Sequence, residues 1–133
     1  LGWPQVEKGP VTSGASTENG LTWEAWSPEL VDTLRAEGRA VYVDYTARWC
    51  LTCQVNKRVY KDAGLQRFIA EKKVALLKAD WTNEDPRITE ALAVLGKAAV
   101  PVNVLYIPGQ TDPHVLPELL TVENVSDAFG RIP

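Results

Sequence analysis

The 133-residue chain is predicted to fold as an α/β domain, a central mixed β-sheet with helices on both faces. Three observations predict it. Strand-like and helix-like apolar patterns alternate along the chain. Two of the strand-like runs, Val41-Tyr42-Val43-Asp44-Tyr45-Thr46 and Val74-Ala75-Leu76-Leu77, have the β-branched and continuous apolar character of strands covered on both sides. Helix start and stop signals fall in the intervals between the strands. The expected order is β α β α β α β β α.

Taken in order, residues 1–20 are rich in Gly, Pro, Ser and Thr without periodicity, and they are assigned to a linker or extended N-terminal arm, with Trp3 as an exposed aromatic. The folded domain is placed at residues 21–133. Leu21 to Trp26 alternates with period two, as a short strand does. Ser27 then serves as an N-cap with Pro28 at the first helical position, and Gly38 closes the helix that carries Leu30, Val31 and Leu34. Ala40 to Thr46 is the central strand. The spacing of Leu51, Val55 and Val59 predicts one buried face of a helix from Cys50 to about Ala63, broken at Gly64.

Leu65 to Lys72 predicts a further helical turn or two with Leu65, Phe68 and Ile69 inward, and Val74 to Asp80 a covered strand. Asp85 caps a helix opened by Pro86, with Ile88, Ala91, Leu92 and Leu95 buried and Gly96 at its end. Ala98 to Ile107 reads as a strand with Pro101 at its entrance. A last edge strand is expected within His114 to Leu120, followed by a helix capped by Thr121 with Val122, Val125 and Phe129 inward.

Composition narrows the function classes. Apolar residues make up 45% and charged residues 23%, an ordinary globular balance. A net charge of −3 without a Lys/Arg cluster argues against nucleic acid as a partner. No apolar run reaches the roughly 18 residues of a membrane span, and the first residues lack the basic and apolar regions of a signal peptide. The absence of methionine predicts a processed product or a segment of a longer protein.

The chemistry is concentrated at Cys50-Leu51-Thr52-Cys53, where the central strand gives way to a helix. Unpaired N–H groups and the positive end of the helix dipole favour a thiolate there. Two cysteines with this spacing can close and reopen a disulfide ring, the first attacking and the second resolving the mixed disulfide. A structural zinc site remains as an alternative, but zinc takes four ligands and the chain holds only these two cysteines and His114. A static disulfide is the other alternative, although a local ring constrains the unfolded chain little. His114 is assigned no catalytic role, and no metal ligand set is assigned.

With Trp49-Cys50-Leu51-Thr52-Cys53 after a strand, and Val100-Pro101 before another about fifty residues later, residues 21–133 resemble the thioredoxin superfamily. Two stretches, Tyr45 to Asn56 and Ala79-Asp80-Trp81-Thr82-Asn83-Glu84-Asp85-Pro86, are similar to the C-terminal periplasmic domain of DsbD-type thiol:disulfide interchange proteins. The resemblance implies a thioredoxin-like fold in which Cys50 is the exposed nucleophile and Cys53 the shielded resolving thiol. Pro101 aligns with the family's cis-proline, which leaves the Val100 backbone free to pair with an extended partner segment. Asp44 matches the buried acid that exchanges a proton with the resolving thiol, the alternative being a solvated acid on the other strand face. Lys78 matches a family lysine that partners this acid, or else is a surface lysine. Trp49 would shield the site and line the docking face; a plain core tryptophan is the alternative.

One position departs from the pattern. DsbD-type domains often carry Glu four residues after the second cysteine, and this chain has Lys57, whose cation favours a thiolate. The implied function is thiol–disulfide exchange by a protein-disulfide reductase domain. It would pass electrons from a membrane-embedded domain of the same parent chain to periplasmic thiol–disulfide proteins, as in cytochrome c biogenesis. No cofactor beyond the cysteine pair is implied, the isolated domain is expected to be monomeric, and the location periplasmic. A free-standing periplasmic thioredoxin-like reductase or isomerase, and a module holding a soft metal such as Cu(I), are the rival readings.

Overall fold

The computed structural model describes residues 15–133. Strands β1 (Ser16–Glu18), β2 (Leu21–Ala25), β3 (Val41–Thr46), β4 (Ala75–Asp80), β5 (Val102–Tyr106) and β6 (His114–Val115) form one sheet in the order β1-β2-β4-β3-β5-β6. The sheet is mixed: β3 runs parallel to β4 and antiparallel to β5, β2 is parallel to β4, and both edges are antiparallel. Helices α1 (Pro28–Ala36), α2 (Leu51–Asn56), α3 (Ala63–Lys72), α4 (Pro86–Val94) and α5 (Val122–Phe129) connect or follow the strands among the described residues, with a 3-10 helix at Lys57–Lys61 continuing α2.

β3 lies at the centre and every one of its residues is buried. On one side, Val41, Val43 and Tyr45 pack with Val31 and Leu34 of α1 and with Ile88 and Leu92 of α4. On the other, Tyr42 packs with Leu65 and Ile69 of α3, Val125 and Phe129 of α5, and Tyr60. The predicted layer arrangement and the order of the main elements are therefore as observed.

The helix signals are realised in detail. Ser27 Oγ accepts the Leu30 N–H at 3.0 Å, and Pro28 occupies the first turn of α1. Gly38, at φ +80°, takes the left-handed position after α1 that costs a side-chain-bearing residue most. Thr121 and Asn124 form a reciprocal capping box at α5.

Several boundaries differ from expectation. Ser16–Glu18, assigned to the arm, pairs with β2 through a two-residue turn in which Asn19 and Gly20 both have positive φ. That Asn-Gly pair is the signature of a tight hairpin. Residues 1–14, including Trp3 and most of the arm, lie outside the described residues. The helix after Cys50 does not run unbroken to Ala63: it tightens at Lys57 and ends at Asp62, whose carboxylate accepts the Leu65 N–H at 2.9 Å and opens α3. Gly64 thus sits inside the first turn of α3 and breaks nothing.

The Leu51/Val55/Val59 stripe is not a buried face, because only Val59 is buried while Leu51 is 78% exposed. The strand expected from Ala98 begins only at Val102, past Pro101, and the edge strand within His114–Leu120 shrinks to two residues. Val122, expected inward, stays partly exposed, and Val125, Ala128 and Phe129 form the buried face of α5 instead.

Candidate active site

β3 delivers the chain to the site, and the turn after it is held from two directions. Ala47 carbonyl oxygen accepts the Cys50 N–H at 3.2 Å and the Gln54 Nε2 amide at 2.9 Å. On the other side Thr82, in the loop after β4, accepts the Arg48 N–H through its hydroxyl and the Trp49 indole N–H through its carbonyl, both at 2.9 Å. Thr82 is itself fixed, since its N–H and its hydroxyl both donate to Asp80 Oδ1. Burial alone would raise the Asp80 carboxyl, but the Thr82 hydrogen bonds and the Arg48 and Lys78 charges outweigh it and bring it below its ordinary value. The Trp81 indole donates to Thr89 Oγ1 at 2.7 Å, and its ring stands 6.0 Å from that of Trp49. The Asp80-Trp81-Thr82 run is therefore a strut under the Arg48-Trp49 turn.

Cys50 is the N-cap of α2, with extended backbone, and it is joined to Cys53 by a disulfide. Its Sγ accepts the Cys53 N–H at 3.1 Å, so the sulfur stands where a helix N-terminus leaves donors unpaired. Cys53 keeps 2% of its surface and Cys50 8%. The order matches an outer and an inner sulfur, yet Cys50 is reached through a narrow window rather than standing open, because Val100 and Ala47 pack against the pair. The Val100–Pro101 peptide bond is cis. Among the described residues no hydrogen bond engages the Val100 backbone.

Trp49 is 56% exposed and so is no core residue; with Leu51 and Val55 it makes an apolar surface beside the disulfide. At the far end of α2 the buried Asn56 donates to the Glu118 carbonyl at 2.8 Å and accepts the Leu120 N–H at 2.9 Å, which ties the helix to the segment before α5.

Asp44 is buried on the same face of β3 as Tyr42 and Thr46. Tyr60 Oη lies 3.0 Å from Asp44 Oδ2 and 3.2 Å from Asn103 Oδ1, with one proton to give. The carboxylate is the stronger acceptor. Tyr42 then donates to Asn103 Oδ1 at 3.1 Å and stands 3.0 Å from Tyr60 Oη. Burial pushes the Asp44 carboxyl above the usual carboxylate range, opposed by the Lys57 charge and by the hydrogen bonds from Tyr60 and Lys57. Burial together with the Asp44 charge holds both tyrosine hydroxyls far above neutrality in their titration, so both stay protonated.

The two lysines are distributed differently from expectation. Lys57 Nζ reaches Asp44 Oδ2 at 3.5 Å and Thr46 Oγ1 at 3.2 Å. Lys78, although its Cα is paired with that of Asp44 across the ladder, gives its ammonium to Glu18 of β1. The edge hairpin thus supplies a carboxylate that outcompetes the buried one. His114 lies on the edge strand β6, paired with Leu105. Tyr60, Thr46, Asn103, Thr82 and Glu18 were not singled out from sequence. Asn103 carried a signal, as a polar residue inside an apolar strand, and so did Thr46, two residues from Asp44 on a period-two strand.

Residues 22–108 match the family model described as thioredoxin-like. The chain belongs to the thioredoxin-like family. It is also 32% identical over 103 residues to the thiol:disulfide interchange protein DsbD of Pseudomonas fluorescens, an alignment that takes in 74% of this chain and 17% of that protein. The chain therefore spans less than a fifth of the length of that relative. The oxidised DsbD C-terminal domain of Neisseria meningitidis superposes with a TM-score of 0.65 at 13% identity, covering 84% of this chain and 99% of that one. A thioredoxin from Thermus thermophilus superposes with a TM-score of 0.64 at 18% identity, covering 82% and 84%. The Cys50–Cys53 disulfide at the start of α2 is thus carried on a thioredoxin-like domain.

Proposed function

We propose that the chain is an electron-relay reductase domain that donates two electrons from its cysteine pair to disulfides of periplasmic partner proteins, and is re-reduced by a membrane-embedded domain of its parent chain. No helix among the described residues is long and apolar enough to cross a membrane, so that donor would be a separate domain. The observation that carries the proposal is the placement of Cys50 Sγ as acceptor of the Cys53 N–H at the start of α2. A sulfur so placed is stabilised as a thiolate once the disulfide is reduced.

The reaction balances as two exchanges. The Cys50 thiolate attacks one sulfur of the partner disulfide, forming a mixed disulfide and releasing the other partner sulfur as a thiolate. Cys53 then loses its proton to Asp44 and attacks Cys50 Sγ, which re-forms the Cys50–Cys53 bond and expels the second partner thiolate. The two partner thiolates take protons from Asp44 and solvent. Two electrons have passed to the partner, and a donor dithiol must return them. The unengaged Val100 backbone and the Trp49, Leu51 and Val55 surface would hold an extended partner segment during the first attack.

Equilibration of the pair with a thiol–disulfide buffer tests the direction. A potential near about −270 mV supports a reductant; one near about −120 mV makes the domain an oxidant and overturns the proposal. In the parent chain, Cys53→Ser should accumulate a mixed disulfide through Cys50. No trapped species under reducing flux would remove the relay.

A further inference from the structure

Two lysines border the groove that runs over Thr46 and Ala47 beside the disulfide, together with Glu18 and Asp80. Lys78 stands opposite Asp44 in the strand ladder, the position from which an ion pair is ordinarily made. Its ammonium is instead drawn to the edge hairpin by Glu18. Lys57 comes from the helical stretch that carries both cysteines and fills the gap, with its side chain 19% exposed against 7% for Asp44. It therefore reaches from the solvent groove to the buried acid.

We propose that Lys57 is the positioning residue for the Asp44 proton: the helix-borne ammonium, not the strand-borne Lys78, is the cation that opposes the burial of Asp44 and holds its carboxyl in place to exchange a proton with the resolving thiol. This rests on the redox function proposed above. The groups facing Asp44 are Lys57 and Tyr60 from the 3-10 segment, Tyr42 and Thr46 from β3, Asn103 from β5 and Lys78 from β4, with Glu18, Arg48 and Asp80 around the groove. Among the described residues Lys57 is the one cation in ion-pair contact with the carboxylate. Its second bond, to the Thr46 hydroxyl, keeps the ammonium at the site when Asp44 takes the proton and loses its charge. Because Lys57 lies four residues beyond Cys53, a shift of the helix on reduction would carry it along with the thiols.

The test is a carboxyl-carbon NMR titration of Asp44 in the full domain, run beside the pH profile of disulfide reduction. Lys57→Met should move the Asp44 midpoint up by about one pH unit or more, as loss of a neighbouring opposite charge does. The acid limb of the rate profile should move with it, a loss of about tenfold per unit on that limb. Lys57→Arg should restore most of both shifts, and Lys78→Met should leave the Asp44 midpoint in place. In the Lys57→Met background, Glu18→Gln frees Lys78 and should bring the midpoint part of the way back. An Asp44 midpoint unmoved by Lys57→Met, or moved as far by Lys78→Met, overturns the inference. If Lys57→Met fails to fold, Lys57→Gln decides in its place: a raised Asp44 midpoint supports the account, and an unchanged one overturns it. Absence of disulfide reduction by the wild-type chain would strike at the redox function, while the titration still passes judgement on Lys57.

Discussion

The two faces of β3 solve burial in opposite ways. Val41, Val43 and Tyr45 meet Leu77, Ala79 and Val104 under α1 and α4 in packing dominated by apolar side chains. One residue out of step, Tyr42, Asp44 and Thr46 point the other way, where polarity grows toward the cysteines. Tyr42 still packs edge-on against Phe129 and Trp23, but its hydroxyl opens a chain of contacts through Tyr60 and Asn103 to Asp44 and Lys57. The first face gains stability from area alone. The second accepts buried polar groups, which are tolerable only when partnered, and in return holds an acid whose proton can move. One strand can do both because its side chains alternate with period two.

The largest expected effect tests the apolar face. Leu77→Ala removes a fully buried side chain and should cost about 2–5 kcal/mol in urea unfolding. The Asp44 titration should not move; if it does, the two faces are not independent.

The acid face should respond to pH instead. Burial raises the Asp44 carboxyl in the native chain, so the native state binds that proton more tightly than the unfolded state does. The stability it contributes is complete below about pH 4 and is lost as pH rises through the native titration. Asp44→Asn has no proton to lose, so at pH 8 it should unfold at higher urea than wild type. That gap should close in acid. A variant less stable than wild type at pH 8 and no different in acid would mean that the ionised network is itself stabilising.

Tyr60→Phe sharpens the contrast from within the network. Loss of its bond to Asp44 should cost about 1 kcal/mol and move the Asp44 midpoint upward, because a hydrogen bond to the ionised form is gone. An unmoved midpoint would assign the Tyr60 proton to Asn103. The smallest effect belongs to neither face: Leu51→Ser, at a 78% exposed position, should change stability by no more than about 0.5 kcal/mol. Its effect should appear as weaker partner capture in mixed-disulfide trapping.

Much of this arrangement was legible in the sequence because local signals and chemistry coincided there. The caps at Ser27, Asp85 and Thr121 use side chains that bond their own backbone, so position alone reveals them. The cysteine spacing after an apolar strand placed the disulfide. The outward face of α2 was not legible, since an i, i+4, i+8 apolar stripe signals burial and says nothing about a surface kept apolar for contact. Nor was the exchange of lysines. Strand register points to Lys78 as the partner of Asp44, and only the hairpin at Asn19-Gly20, hidden in a Gly- and Ser-rich stretch, brings Glu18 to claim it. Gly64 misled because its backbone freedom is not needed where Asp62 already opens the next helix.

The tightening of the helix at Lys57 has a geometric result. An α-helix turns by about 100° per residue, so side chains three apart diverge by about 60°, whereas a 3-10 segment has about three residues per turn and brings them into eclipse. Lys57 and Tyr60 are three apart in such a segment, and both end on the same oxygen, Asp44 Oδ2. A cation and a phenol are thus aimed at one atom by a change of winding, without any loop to hold them.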